Sequence, residues 1–228
     1  MTMTITFKAL SALLAYPSAD LVAALPEIAA VVEREPRLAR AHRDALHALA
    51  AGLETADLLD AQEAYVALFD RGRTTSLHLF EHVHGDSRER GQAMVDLKQV
   101  YARHGFVLST NELPDFLPAV FEYLSQRPAA EAKEMLGDCA YILRAVGEAL
   151  QDRASGYAAV LAAALAMVGE PGLAAVPREK PAAKEKPIDD EWVDEPVIFG
   201  PAGAQGCGAA RPPAAAVMQY MPRPSTTR

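Results

Sequence analysis

Residues 65 to 97 concentrate the side chains of this sequence that could do chemistry. Arg71, Arg73, His78, His82, His84, Arg88 and Arg90 lie there between two apolar helical patterns, and three of the six histidines fall within seven positions. Three chemistries suit such a cluster. His78 and His82 are one helical turn apart, with Glu81 and His84 close by, a start on a metal site that still needs a third or fourth ligand and lacks the His-Glu-x-x-His order. Peptide recognition is the second, and partly protonated imidazoles would make it pH-sensitive. The third is a packed junction in which the histidines cap helices and bond to neighbouring backbone. Guanidinium forks such as Arg71 and Arg73 either grip carboxylate or phosphate-like groups or pair internally with Asp70, Glu81 or Asp86.

Catalytic signatures are missing elsewhere: there is no Gly-x-x-x-x-Gly-Lys-Ser/Thr loop, no Gly-x-Gly-x-x-Gly and no Gly-x-Ser-x-Gly elbow. A His-cluster metalloenzyme is thus the one enzymatic alternative, and the reading adopted is that the chain is no enzyme, with no catalytic or metal-ligating residues assigned. A second constellation, Glu112-x-Pro114-Asp115, precedes an apolar run. With Asp115 as N-cap, Pro118 would occupy the third helical position, where no intrahelical donor is needed. Tyr65, Phe69 and Phe80 recur at helical spacing, which reads as core with one or two rings lining a groove.

The elements that must position these groups are helices. Phe7, Leu10 and Leu14 share a face that ends at Tyr16-Pro17, and Ser18 caps the next turn. Pro26 and Pro36 are each expected to begin a helix, the second closing at Gly52. Thr55 opens the helix leading to Phe69. Gly72 breaks the pattern, Thr75 or Ser76 caps a short helix ending near Gly85, and Asp86 with Glu89 forms a capping box for a helix carrying Met94, Leu97 and Tyr101. One long helix from Pro128 is expected to carry Leu136, Cys139, Leu143, Val146 and Leu150, with Cys139 a buried structural thiol. Tyr157, Leu161, Leu165 and Val168 mark the last helix. No strand alternation of useful length precedes its end, so the fold expected is all-α, a compact helical bundle with a Pro-rich, largely irregular C-terminal tail.

Composition divides the chain at about residue 176. Residues 177–228 hold nine of the sixteen prolines and seven acidic against seven basic groups, so the net charge of -8 belongs to residues 1–176. An acidic body argues against nucleic acid and suits a cationic partner. The tail reads as solvated linker, except for residues 188–200, where the only Trp and five other large apolar groups stand among acids as a possible binding segment. Two cysteines are too few for a disulfide framework, the N-terminal apolar stretch is interrupted by Ser11 and lacks a cleavage site, and no apolar run reaches the length of a membrane span. A cytoplasmic location is expected, with no direct membrane insertion.

The runs Leu68-Phe69-Asp70-Arg71-Gly72-Arg73, Ser76 to Gly85 and Arg90-Gly91-Gln92-Ala93-Met94 resemble the signature of NarJ-type chaperones, within the all-helical redox-enzyme maturation chaperones typified by TorD and DmsD. The resemblance implies a chaperone that binds the apo catalytic (alpha) subunit of respiratory nitrate reductase, chiefly its N-terminal segment. It would hold no cofactor permanently, but would assist insertion of the molybdenum guanine-dinucleotide cofactor into that client before membrane docking. Maturation of another molybdoenzyme is the alternative. In the wider group the Glu, Pro-Asp region is implicated in leader-peptide binding, which carries Glu112, Pro114 and Asp115 across, while Phe116 stands where other branches have His. The candidate client-binding residues are therefore Tyr65, Phe69, Arg71, Arg73, His78, His82, His84, Arg88, Arg90, Gln92, Glu112, Pro114 and Asp115.

Overall fold

A computed structural model describes residues 2–85, 87–109, 112–174 and 218–220. The expected binding segment at 188–200, Asp86 of the expected capping box and Cys207 lie outside the described residues. Ten α-helices account for most of the rest: α1 Thr2–Leu14, α2 Ala19–Glu33, α3 Arg40–Thr55, α4 Leu58–Phe69, α5 Leu79–His84, α6 Arg88–Arg103, α7 Leu117–Leu124, α8 Ala129–Asp138, α9 Ala140–Asp152 and α10 Ala158–Val168. The all-α expectation is met.

The centre is built by α1, α7, α9 and α10. Phe7, Leu10, Leu13 and Leu14 of α1 are fully buried, α1 lies against α7 with the Phe7 and Phe121 rings 5.8 Å apart, and α10 packs on α9, α3, α8 and α1. α10 is apolar on nearly every side because it is surrounded. Mid-helix Gly147 lets the chain beyond α10 press on α9: a Cβ there would come within 2.5 Å of a Leu173 methyl.

Four expectations about helix boundaries change. Pro26 lies inside α2 rather than at the start of a helix, although its missing N–H and ring cost about 3 kcal/mol. The stripe Leu21, Leu25, Ile28 and Val32 is buried along the whole helix, and this burial outweighs the defect while Pro26 itself faces outward. Pro36 sits in the turn between α2 and α3, where buried Glu35 accepts from the Thr6 hydroxyl (3.0 Å) and the Arg37 amide (3.1 Å). α3 passes through Gly52 to Thr55, whose hydroxyl bonds back to Ala51, and Asp57 caps α4 in its place. The long helix expected from Pro128 divides at Cys139 into α8 and α9, yet Leu136, Leu143, Val146 and Leu150 are buried on the predicted stripe.

Outside the helices, β1 Phe106–Leu108 pairs antiparallel with β2 Met218–Tyr220, Phe106 opposite Tyr220 and Leu108 opposite Met218. Three residues of the Pro-rich tail are thus in a strand, which the tail's composition did not announce. No helix among the described residues is long and apolar enough to cross a membrane.

Leu136 has no exposed surface on the α8 face that meets α10. Leu136→Ala is expected to lower the unfolding free energy by about 2–5 kcal/mol, read by urea denaturation followed at 222 nm.

Candidate functional site

The two constellations singled out from the sequence are brought together across 37 positions. Asp115 is fully buried, and its Oδ2 accepts from the Phe80 amide at 2.9 Å while its backbone carbonyl accepts from the Leu79 amide at 3.1 Å. These are the first two orphan amides of α5, so Asp115 caps α5 from a distant part of the chain. It does not cap its own helix as expected: Phe116 holds that place, and Pro118 falls at the second helical position of α7. A second tie runs from the Leu117 amide to the Leu77 carbonyl at 2.8 Å.

His78 completes this clasp, its Nδ1–H donating to Asp115 Oδ1 at 3.3 Å and its ring resting 5.3 Å from that of Phe116. Burial disfavours the imidazolium, but the bond to Asp115 and the charges of Asp115, Glu81 and Glu112 outweigh it, so the His78 pKa is raised above its ordinary value of 6.5. His82 Nε2–H donates to the Ser76 carbonyl at 2.9 Å. Arg90 reaches from α6 to Glu81 at 3.1 Å. Burial opposes ionisation of Glu81, yet the Ser76 hydroxyl and Arg90 hold its carboxyl below the usual range. His84 lies 3.8 Å from Glu89.

The remaining sequence candidates take varied places. Tyr65 and Phe69 are core: the Tyr65 hydroxyl donates to Leu14 O at 2.7 Å, and both rings pack on Tyr157. The Arg73 guanidinium lies against Gly85, whose φ of 55° ends α5. Arg71 and Arg88 are exposed, as is Gln92, which donates to Asp96 at 2.8 Å. Pro114 is buried, and its carbonyl accepts from the Tyr101 hydroxyl of α6 at 2.8 Å. Glu112 is half-buried near His78. Among the described residues, no group of three or more His, Cys, Asp or Glu converges as a metal site.

The far side of α5 is open. Leu79, Phe80 and Val83 form one wall of a groove of about 500 Å³ whose other walls are Leu97 and Val100 of α6, Val120 of α7, Met135 of α8 and Tyr141 and Ile142 of α9. Val83 is 47% exposed and Tyr141 58% exposed, unusual for groups of this size beside an apolar floor. Cys139 lines the groove where α8 gives way to α9; its thiol donates to Met135 O at 3.3 Å, and burial pushes its pKa up to about 11, so it is a structural thiol. Glu131, Glu134 and Asp138 of α8 also line it. Of these groove residues the sequence reading singled out only Phe80, Leu97 and Cys139, and the available signal for the rest was the one-per-turn row of acids on α8.

Comparison with known proteins decides the family. The model of the nitrate reductase delta subunit family matches residues 35–163, more than half of the chain. The chain belongs to the nitrate reductase delta subunit family. Within that family it is 42% identical over 207 residues to the nitrate reductase molybdenum cofactor assembly chaperone NarJ of Escherichia coli K12, covering 87% of this chain and 85% of the relative. It is 41% identical over 184 residues, 78% and 80% of the two chains, to the probable assembly chaperone NarW of the same organism. A probable NarJ of Bacillus subtilis is 32% identical over 171 residues, 72% of this chain and 90% of the relative. The NarJ-type resemblance carried by the junction motifs holds across most of this delta-subunit-family chain.

A raised folded-state pKa means the protonated imidazole is favoured by folding. The His78 contribution to stability is therefore complete below about 6.5 and is lost as the pH rises through the higher folded-state value. Asp115→Asn keeps an acceptor for Phe80 but removes the charge. It should bring the His78 titration, followed by imidazole proton NMR, down toward 6.5 and flatten that share of the pH dependence of unfolding.

Proposed function

We propose that this chain is a chaperone that binds the apo catalytic subunit of respiratory nitrate reductase, chiefly through the client's N-terminal segment, and assists molybdenum cofactor insertion before the enzyme docks at the membrane. The observation that carries this reading is the groove between α5, α6, α8 and α9, an apolar trough with Val83 and Tyr141 standing half in water. An amphipathic helix offers the complementary shape: its apolar face fills the trough and its polar face stays solvated. The names borne by the relatives, nitrate reductase molybdenum cofactor assembly chaperones, support that enzyme as the source of the client.

In this reading the work is cytoplasmic and involves no bond making. The chain holds no molybdenum guanine-dinucleotide cofactor of its own; it keeps the client receptive while that cofactor enters. The candidates in the junction divide into two roles. Asp115, His78, His82, Pro114 and Arg90 set the position of α5 and α6, so they serve the groove through its walls. Arg71, Arg88 and Gln92, exposed beside the junction, and Arg73, His84 and Glu112 around it, would meet client residues that run beyond the trough. Tyr65 and Phe69 support the bundle beneath.

Isothermal titration of a synthetic peptide from the client's N-terminus should show saturable binding to the full chain. Val83→Ser and Tyr141→Ala each remove apolar surface from the trough and should weaken that binding about tenfold while leaving the melting temperature within a few degrees of the parent, because about half of each side chain already faces solvent. A parent protein that ignores the peptide would end the proposal.

A further inference from the structure

The three carboxylates on the groove rim are not equivalent. Glu131, Glu134 and Asp138 follow one another at single-turn spacing on the same side of α8. Glu131 is already neutralised: Arg127 Nε bonds its two oxygens at 3.0 and 2.9 Å, and the Tyr123 hydroxyl donates to it at 2.7 Å. Tyr123 in turn meets His104 Nδ1 at 2.8 Å, so Glu131 belongs to a closed network joining α6, α7 and α8.

Glu134 and Asp138 are exposed and form no ion pair with any described cation. They stand at i and i+4, where like charges repel and weaken a helix. The cation on the adjoining turn of α9, Arg144, is engaged by Glu170 at 3.8 Å and by the Pro171 carbonyl at 3.2 Å. Two uncompensated negative charges one turn apart therefore border an apolar floor made by Met135, Cys139 and Tyr141.

We infer that Glu134 and Asp138 are the specificity-determining charges of the groove. They select, among apolar helical segments, one that carries two Lys or Arg side chains a helical turn apart beside its apolar stripe. This inference rests on the groove being the client site proposed above. A cation seated over this pair gains two attractions and cancels a repulsion already present in the free protein. An acidic or neutral segment of equal hydrophobicity gains neither. Because the rim is wet, the effect is modest in size and falls with salt. Glu131, with both oxygens occupied, takes no part in the choice.

The test titrates the client's N-terminal peptide into the parent, Glu134→Gln/Asp138→Asn, Glu131→Gln and Tyr141→Ala at about 50 mM and about 300 mM salt. The double variant is expected to bind about three- to tenfold more weakly at low salt, to lose most of the salt dependence, and to melt no lower than the parent because a repulsive pair has gone. A peptide with its Lys and Arg replaced by Gln should bind parent and double variant alike. Glu131→Gln should lower the melting temperature and retain the salt dependence. If the double variant keeps parental affinity and salt dependence while Tyr141→Ala weakens binding, the charge assignment is wrong and the groove stands. If neither alters binding, the groove assignment fails and this inference with it. A double variant whose affinity falls only in step with a lowered melting temperature marks the pair as structural and overturns the inference.

Discussion

The site depends on one buried carboxylate. A lone ionised carboxyl out of water is costly, and a neutral one could not accept as many bonds. Asp115 resolves this by facing the Phe80 amide, the His78 imidazole and the positive end of α5 together. The same arrangement answers a second problem. A helix of six residues has too few internal bonds to offset its nucleation cost, so α5 exists because its ends are held from outside. Asp115 holds its start, the His82 to Ser76 bond and the Glu81 to Arg90 pair brace its length, and Gly85 closes it.

The Pro114 carbonyl extends this control to α6. That helix runs for sixteen residues, yet Tyr101 is its one buried side chain, and the Tyr101 hydroxyl ends on Pro114. Two walls of the groove, α5 and α6, are therefore referred to a single short loop, Glu112 to Phe116. The opposite wall, α8 and α9, is anchored by Leu136, Leu143, Val146 and Leu150 in the central core. One wall of the groove is thus set in the central core, and the other is positioned by a loop as well as by Leu79 and Tyr101.

Helical periodicity made most of the architecture legible: the stripes on α1, α9 and α10 are buried as the spacing of Phe7, Leu143 and Leu165 implies. The failures share one cause, tertiary burial overriding a local signal. Pro26 reads as a helix start because one missing bond is visible in sequence, whereas the four buried side chains that keep α2 intact are not. The break at Cys139 is hidden because α8 and α9 preserve one apolar stripe across it. The junction was legible as a place but not as a role: nothing in the spacing of Asp115 says that it caps a helix 37 residues earlier. The groove was illegible for a deeper reason. Its lining comes from five helices at positions with no shared motif, and only their assembly makes Val83 and Tyr141 neighbours of one trough.

An exposed apolar trough is a hazard as well as a tool, since two copies could bury it against each other. The acidic rim opposes that outcome. Pairing trough to trough would bring Glu134 and Asp138 of one copy toward the same residues of the next, on bodies that each carry the whole net charge of -8. A cationic segment meets attraction. In the proposed reading, the charges that cost α8 some stability disfavour trough-to-trough pairing and favour a cationic client through one and the same Coulomb term.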